Sequence, residues 1–183
     1  MKKRVWLLLL MQLPTSASTA RVGVWRRLRA AGATSVEHGA WMLPLSVAHR
    51  SLFAEIAETI GSAGGSAAIF EADAVGGDDA MVARFADDRA REYDEFATRS
   101  QGLLDEIAKE VAAEKFTFAE LEEIEDDLKK LEIWLGKIEA RDFFASQRIS
   151  VARQELETCA ATASSFAERV YAASGVSGTP DGF

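Results

Sequence analysis

The chain has one cysteine, Cys159, and two histidines, His38 and His49. A lone thiol excludes an intramolecular disulfide, and this set cannot be arranged into zinc-ligand spacing, so no metal or other cofactor is expected. No apolar run approaches the roughly 20 residues that cross a bilayer, so no membrane partner is expected. Phosphate-binding loops are missing too: "GSAGGSAA" lacks the lysine of a Walker loop and follows a helical pattern rather than a strand. No nucleophile, base and orienter fall into a recognisable motif, so enzymatic activity is not expected. From about residue 78 to Gly175 proline and glycine almost vanish, which leaves few breaks for anything but long helices.

What is present is an uneven charge. The 183 residues carry a formal net charge of −8, yet residues 1–50 hold eight Lys/Arg against a single acid, Glu37. The remainder holds 13 bases and 28 acids, a net of −15. An acidic mean argues against binding nucleic acid over the whole surface, while the asymmetry permits one basic face to meet a polyanion. The basic end could equally meet the acidic end inside a dimer.

The first twenty residues, "MKKRVWLLLLMQLPTSASTA", follow the pattern of a signal peptide, with a cationic start, an apolar run and small residues near Ala20. Against export, "VWLLLLMQLP" and "AWMLP" share a tryptophan, an apolar run and a closing Leu-Pro, as two strands of one sheet would. Val5 to Leu13 is therefore read as a buried central strand ended by Pro14. Thr15, Ser16, Ser18 and Thr19 offer helix caps, and Val22, Trp25, Leu28 and Ala31 recur at three-residue spacing before Gly32. Two short strands follow, at 33–37 and 40–43, turned at His38-Gly39. A helix carrying Leu52, Phe53, Ile56 and Ile60, stopped by Gly64-Gly65, leads into the strand "SAAIFEAD". The order is strand, helix, strand, strand, helix, strand, the ferredoxin-like split βαβ arrangement.

Beyond "AVGGDD" the pattern is helical. A first long helix, about 78–114, carries Val82, Phe85, Tyr93, Phe96, Leu103, Ile107 and Val111 near one stripe, interrupted by Arg89 and Ser100. "TFAE" is a capping box, with Thr117 accepting from the Glu120 amide and Glu120 reaching back. It opens a helix whose seam, Leu121, Ile124, Leu128, Leu131, Leu135 and Ile138, alternates spacings of three and four. After Asp142 as cap, a third helix repeats the spacing with Ile149, Ala152, Leu156, Cys159, Ala163, Phe166 and Val170. Cys159 on that seam reads as a small buried hydrophobe. The fold class is α+β: a ferredoxin-like domain at 1–76, antiparallel helices at 77–174, and a disordered Gly/Pro-rich tail at 175–183.

"VWLLLLMQLP", "RVGVWRRLRAAGA", "GAWMLP" and "KFTFAELEEIEDDLKKLEIWLGKIEARDFF" together resemble the N-terminal region of ChrB, a regulatory protein of chromate resistance, from about residue 4 to about 173. Its first part is similar to the middle domain of the PaaX repressor and to small CRISPR-associated ferredoxin-like nucleases. The resemblance implies a cytoplasmic, chromate-responsive transcriptional regulator that binds promoter DNA, with chromate or a similar oxyanion as effector. Longer members continue into a C-terminal domain associated with chromate response, where this chain stops. It would then act as a stand-alone relative or with a partner supplying that part. The winged helix that precedes the ferredoxin-like domain in PaaX has no counterpart ahead of Met1. Where the nucleases carry a metal-holding aspartate, this chain reads Met11-Gln12-Leu13, so nuclease activity is not expected.

The candidate DNA- or anion-binding residues are Arg21, Arg26, Arg27 and Arg29. Guanidinium groups over about two helical turns suit a phosphate backbone or a tetrahedral dianion, because arginine donates in a planar fork. The competing assignment is a solvated helix face. Trp6, Trp25 and Trp41 fall on apolar positions and read as core anchors rather than stacking platforms. Lys129, Lys130, Lys137 and Arg141, interspersed with acids, read as helix ion pairs. Exposed sheet edges and long apolar seams suggest a homodimer. The alternative function is an adaptor that does not bind DNA and pairs with a separate chromate-response partner.

Overall fold

A computed structural model describes residues 4–76 and 78–175; the tail expected over 175–183 lies, apart from Gly175, outside them. The elements are β1 (Val5–Gln12), α1 (Ser18–Ala30), β2 (Thr34–Glu37), β3 (Ala40–Pro44), α2 (Val47–Ser62), β4 (Ser66–Asp73), α3 (Asp79–Ala112), α4 (Phe118–Glu139) and α5 (Arg148–Ser174). The chain forms two compact units, one holding residues up to Asp88 together with Arg141–Phe144, the other holding Arg89–Ala140 and residues from Ala145 onward.

In the first unit the strands order as β2-β3-β1-β4, every neighbouring pair antiparallel. This is the split βαβ arrangement, so the fold is α+β as the element order implies. The apolar run of β1 is a central strand, with Leu9 opposite Trp41 of β3 and Ile69 of β4. Period-2 alternation puts Leu7, Leu9, Trp41 and Leu43 on one face, buried in a common core with Val24 and Leu28 of α1 and Phe53, Ile56 and Ile60 of α2. The opposite face carries Trp6, only 2% exposed, stacked on Phe85 with centroids 5.7 Å apart and tilted against Phe144. Further along that face the cover ends, and Leu10 and Phe70 are 42% and 48% exposed.

The hairpin between β2 and β3 depends on Gly39, whose φ is +78° and whose added Cβ would stand 2.5 Å from the Met11 carbonyl oxygen. Both facts demand glycine there. Helix α1 uses none of its hydroxyl candidates: its N-cap is Ala17, without a side-chain cap. Instead the Ala17 amide donates to the Pro14 carbonyl at 3.0 Å, a turn that leads directly into the helix.

In the second unit all six seam residues of α4 are buried, as are Ala152, Cys159, Ala163, Phe166 and Val170 of α5. Tyr93, Phe96, Leu103 and Ile107 of α3 complete this core. Arg89 and Ser100, read as interruptions of the α3 stripe, are themselves 3% and 2% exposed. Arg89 pairs with Glu92, and the Ser100 carbonyl accepts from the Cys159 thiol. Burial raises the thiol pKa above its ordinary value, which suits a structural residue and opposes a reactive one.

Two expectations for the helices need correcting. Asp142 does not cap α5, which begins six residues later at Arg148, with Gln147 as N-cap and no side-chain cap bond. The reason is tertiary: Phe143 and Phe144 are drawn into the aromatic core of the first unit against Phe85, with centroids at 5.9 and 5.6 Å. The Arg141 side chain also packs close over Gly32, where an added Cβ would meet the Arg141 Cβ at 2.9 Å. The α4 capping box is half realised. Thr117 accepts from the Glu120 amide at 3.3 Å, while the Glu120 carboxylate takes Lys115 at 3.3 Å.

Lys115 also pairs with Glu110 at 3.3 Å and so ties α3 to the start of α4. Hydrogen bonding to Lys109, then to Lys115, holds the packed Glu110 carboxyl below its ordinary pKa despite the opposing effect of burial. A depressed folded pKa means stabilisation present above the unfolded value and lost as pH falls through the folded one. Glu110→Gln should therefore lower the melting temperature at neutral pH and flatten its decline between about pH 3 and 5. Thermal melts across that range check this, and an unchanged slope would show that the pair does not matter.

Candidate functional site

The four arginines all lie on α1, but the helix orients them differently from a plain amphipathic reading. Its buried stripe is Val24 and Leu28, with Ala31 half-buried beyond, a spacing of four then three. Trp25 is therefore not a core anchor: it is 52% exposed, beside Val22 at 47%. The three-residue run Val22-Trp25-Leu28-Ala31 drifts by about 60° per step around a helix and straddles core and solvent. Trp6 and Trp41, in contrast, are buried at 2% and 7%.

Positions 22, 25, 26 and 29 are linked by steps of three and four and share the outward side of α1, while Arg21, seven residues before the buried Leu28, sits at the N-terminal end of the apolar edge. Arg26 is exposed, and its side chain makes no hydrogen bond or ion pair among the described residues. Arg21 is exposed and donates to the Pro14 carbonyl at 2.7 Å and the Leu13 carbonyl at 3.4 Å. Neutral carbonyls position that guanidinium without cancelling its charge. Arg27 is half-buried and paired with Glu55 of α2 at 2.5 Å, also reaching Thr59 at 3.4 Å. Arg29 lies 3.7 Å from Asp88, whose carboxylate also accepts from the Thr34 hydroxyl at 3.0 Å. The structure thus divides the four: Arg21 and Arg26 keep uncompensated charge on the surface, and Arg27 and Arg29 face acids of their own unit. The exposed tryptophan between them was misassigned from sequence; the signal that finds it is the alternative spacing Val24-Leu28-Ala31.

Elsewhere the chemistry is sparse. A groove of about 810 Å³ in the helical unit is lined by Glu95, Arg99, Glu106, Asp127, Lys130 and Trp134. Its charges are mixed, and Lys130 is already paired with Asp127 at 2.6 Å, as expected for a helix ion pair. A shallower depression of about 370 Å³ at one end of the sheet includes Gln12, His38 and Ser66. Among the described residues no group of three or more His, Cys, Asp or Glu could hold a metal ion, and no helix is long and apolar enough to cross a membrane.

Fold and surface together define an α+β chain in which a split βαβ sheet, carrying a cationic and aromatic first helix, is joined to a unit of long helices. The chain belongs to the ChrB N-terminal family: the family model described as "Protein ChrB, N-terminal" matches residues 21–177. It is 37% identical over 91 residues to Protein ChrB of Cupriavidus metallidurans, a stretch spanning 50% of this chain and 28% of that relative. No solved structure gives a significant match.

Proposed function

We propose that this chain is the DNA-contacting part of a cytoplasmic, chromate-responsive transcriptional regulator, working through binding rather than catalysis. The observation that carries the proposal is the exposed surface of α1, where Arg26 stands next to the exposed Trp25 and Arg21 lies one turn before that tryptophan, in an otherwise acidic chain. Arg29 lies on the same side and Arg27 on the flank that faces α2, and both extend the cationic surface when a polyanion competes with Asp88 and Glu55 for them. Tryptophan beside guanidinium groups suits a nucleic acid, which offers apolar sugar and base surface next to each phosphate. Membership in the ChrB family supports a regulatory role, and the effector is chromate or a similar oxyanion.

Titrating the protein onto its own upstream DNA at several salt concentrations, with and without chromate, tests this. Each phosphate neutralised adds about −0.9 to the slope of log K against log[salt]. Arg21 and Arg26 alone predict a slope near −2, approaching −4 if all four arginines engage, and Arg26→Ala should flatten it by about 0.9. Binding that ignores salt, or the absence of binding, sinks the proposal. The pairing of Arg27 and Arg29 within the first unit favours the second reading, an adaptor that recruits a chromate-response partner. It predicts co-purification with that partner that survives replacement of Arg26 and Arg27 by Ala.

A further inference from the structure

The sheet ends at β4, an eight-residue strand paired along its whole length with β1 and, among the described residues, with no strand on its other side. From Ser66 to Ala72 its outer edge makes no backbone hydrogen bond to any described residue. Long edges of this kind are ordinarily blunted by lysine, proline, a bulge or a covering segment. Ser66–Asp73 contains no lysine or proline, and its register with β1 runs without a shift. The apolar side of the edge is also bare, for Phe70 lies directly opposite Leu8, and Ala68 directly opposite the exposed Leu10.

We infer that β4 pairs antiparallel with β4 of a second copy about a two-fold axis at Ile69, joining two four-stranded sheets into one of eight. The strand is self-complementary in that register. Residues that face each other across an antiparallel pair share a face of the sheet. Phe70 then falls opposite Ala68 of the second copy, large against small. One continuous apolar row results, Leu10, Ala68, then Phe70 and Leu8 of the other copy, with its mirror alongside. On the helix-bearing face Ile69 meets its own counterpart and Glu71 falls opposite Ala67. No acid opposes an acid, and Glu71 is already neutralised by Arg50 of α2 at 2.5 Å. Parallel pairing in register would set Glu71 against Glu71, so charge selects the antiparallel arrangement. A foreign strand could satisfy the same hydrogen-bonding groups, but the match of Phe70 to Ala68 is written into this chain twice over by the symmetry.

The test is sedimentation of the full chain without DNA, which keeps it independent of the DNA-binding proposal. Wild type should sediment as a dimer at micromolar concentration, and Phe70→Lys should raise the dimer dissociation constant at least about tenfold, because the two-fold places the charge at the interface twice. Circular dichroism should show that variant folded, since Phe70 is half-exposed. If it is not folded, Ile69→Cys decides: at the axis the two thiols come within disulfide range, and buried Cys159 does not compete. A covalent dimer under mild oxidation supports the assignment, and none overturns it. A monomeric wild type, or a dimer indifferent to folded Phe70→Lys, likewise overturns it.

Discussion

Trp6→Ala is expected to cost the first unit about 3–5 kcal/mol, among the largest effects of any single substitution in this chain. Three losses coincide at that position. The indole fills the covered face of the sheet between Phe85 and Phe144, so its removal leaves a cavity lined by aromatic rings that cannot collapse far without moving β1. Its Nε1 donates to Asp78 at 3.0 Å, and Asp78 also accepts from the Arg4 amide at 3.0 Å, so one polar knot ties the start of β1 to the residue before α3. The Asp78 side chain is only 8% exposed and would lose one of its donors away from water. Trp6→Phe separates these contributions: it keeps most of the ring packing and loses the donor, and should fall between wild type and Ala in urea denaturation. A Phe variant as unstable as Ala would show that the hydrogen bond dominates, and an Ala variant as stable as wild type would remove Trp6 from the core.

The corresponding position in the helical unit is Phe166, 1% exposed and tilted against Phe116 at 5.7 Å. Phe166→Ala should lower stability by about 3–5 kcal/mol. Small residues flank it on the α5 seam: Ala163 and Cys159 one and two turns before, Ala167 beside it. Such residues let helices approach closely, so few neighbouring side chains are long enough to swing into the vacated space. Phe166→Leu, which refills most of the volume, should recover more than half of the loss. Equal melting temperatures for the Ala and Leu variants would argue that the seam repacks freely and that the jigsaw at α5 is looser than the burial implies.

Much of this architecture was legible because local patterns and tertiary demands agree. The α4 seam reads correctly to the residue, since its three-four spacing has no competing interpretation, and all six positions are buried. "SAAIFEAD" coincides with β4 because Gly64-Gly65 bound it on one side. The errors arise where two interpretations fit the same letters. On α1 a run at three-residue spacing and a run at four-residue spacing share Leu28, and only the packing against α2 and the sheet reveals that Val24, rather than Trp25, turns inward. The candidate surface was therefore half legible. Its arginines could be named, but not that Glu55 and Asp88 already hold two of them, because those acids are distant in sequence. Phe143-Phe144 failed for a related reason: two aromatics directly after a capping aspartate look like the first turn of the next helix until their partners, 58 and more residues earlier, are in place.

That return of Phe143 and Phe144 to the sheet has a consequence in time. A ribosome finishes β4 long before it reaches the rings that close over Trp6 and Phe85. At about 5–20 residues per second the nascent sheet waits on the order of several seconds with part of its aromatic face uncovered. During that interval the open face and the β4 edge are presented together to chaperones and to neighbouring nascent chains. Synthesis rate around α4, and not only final stability, should govern how much of this protein reaches its folded state.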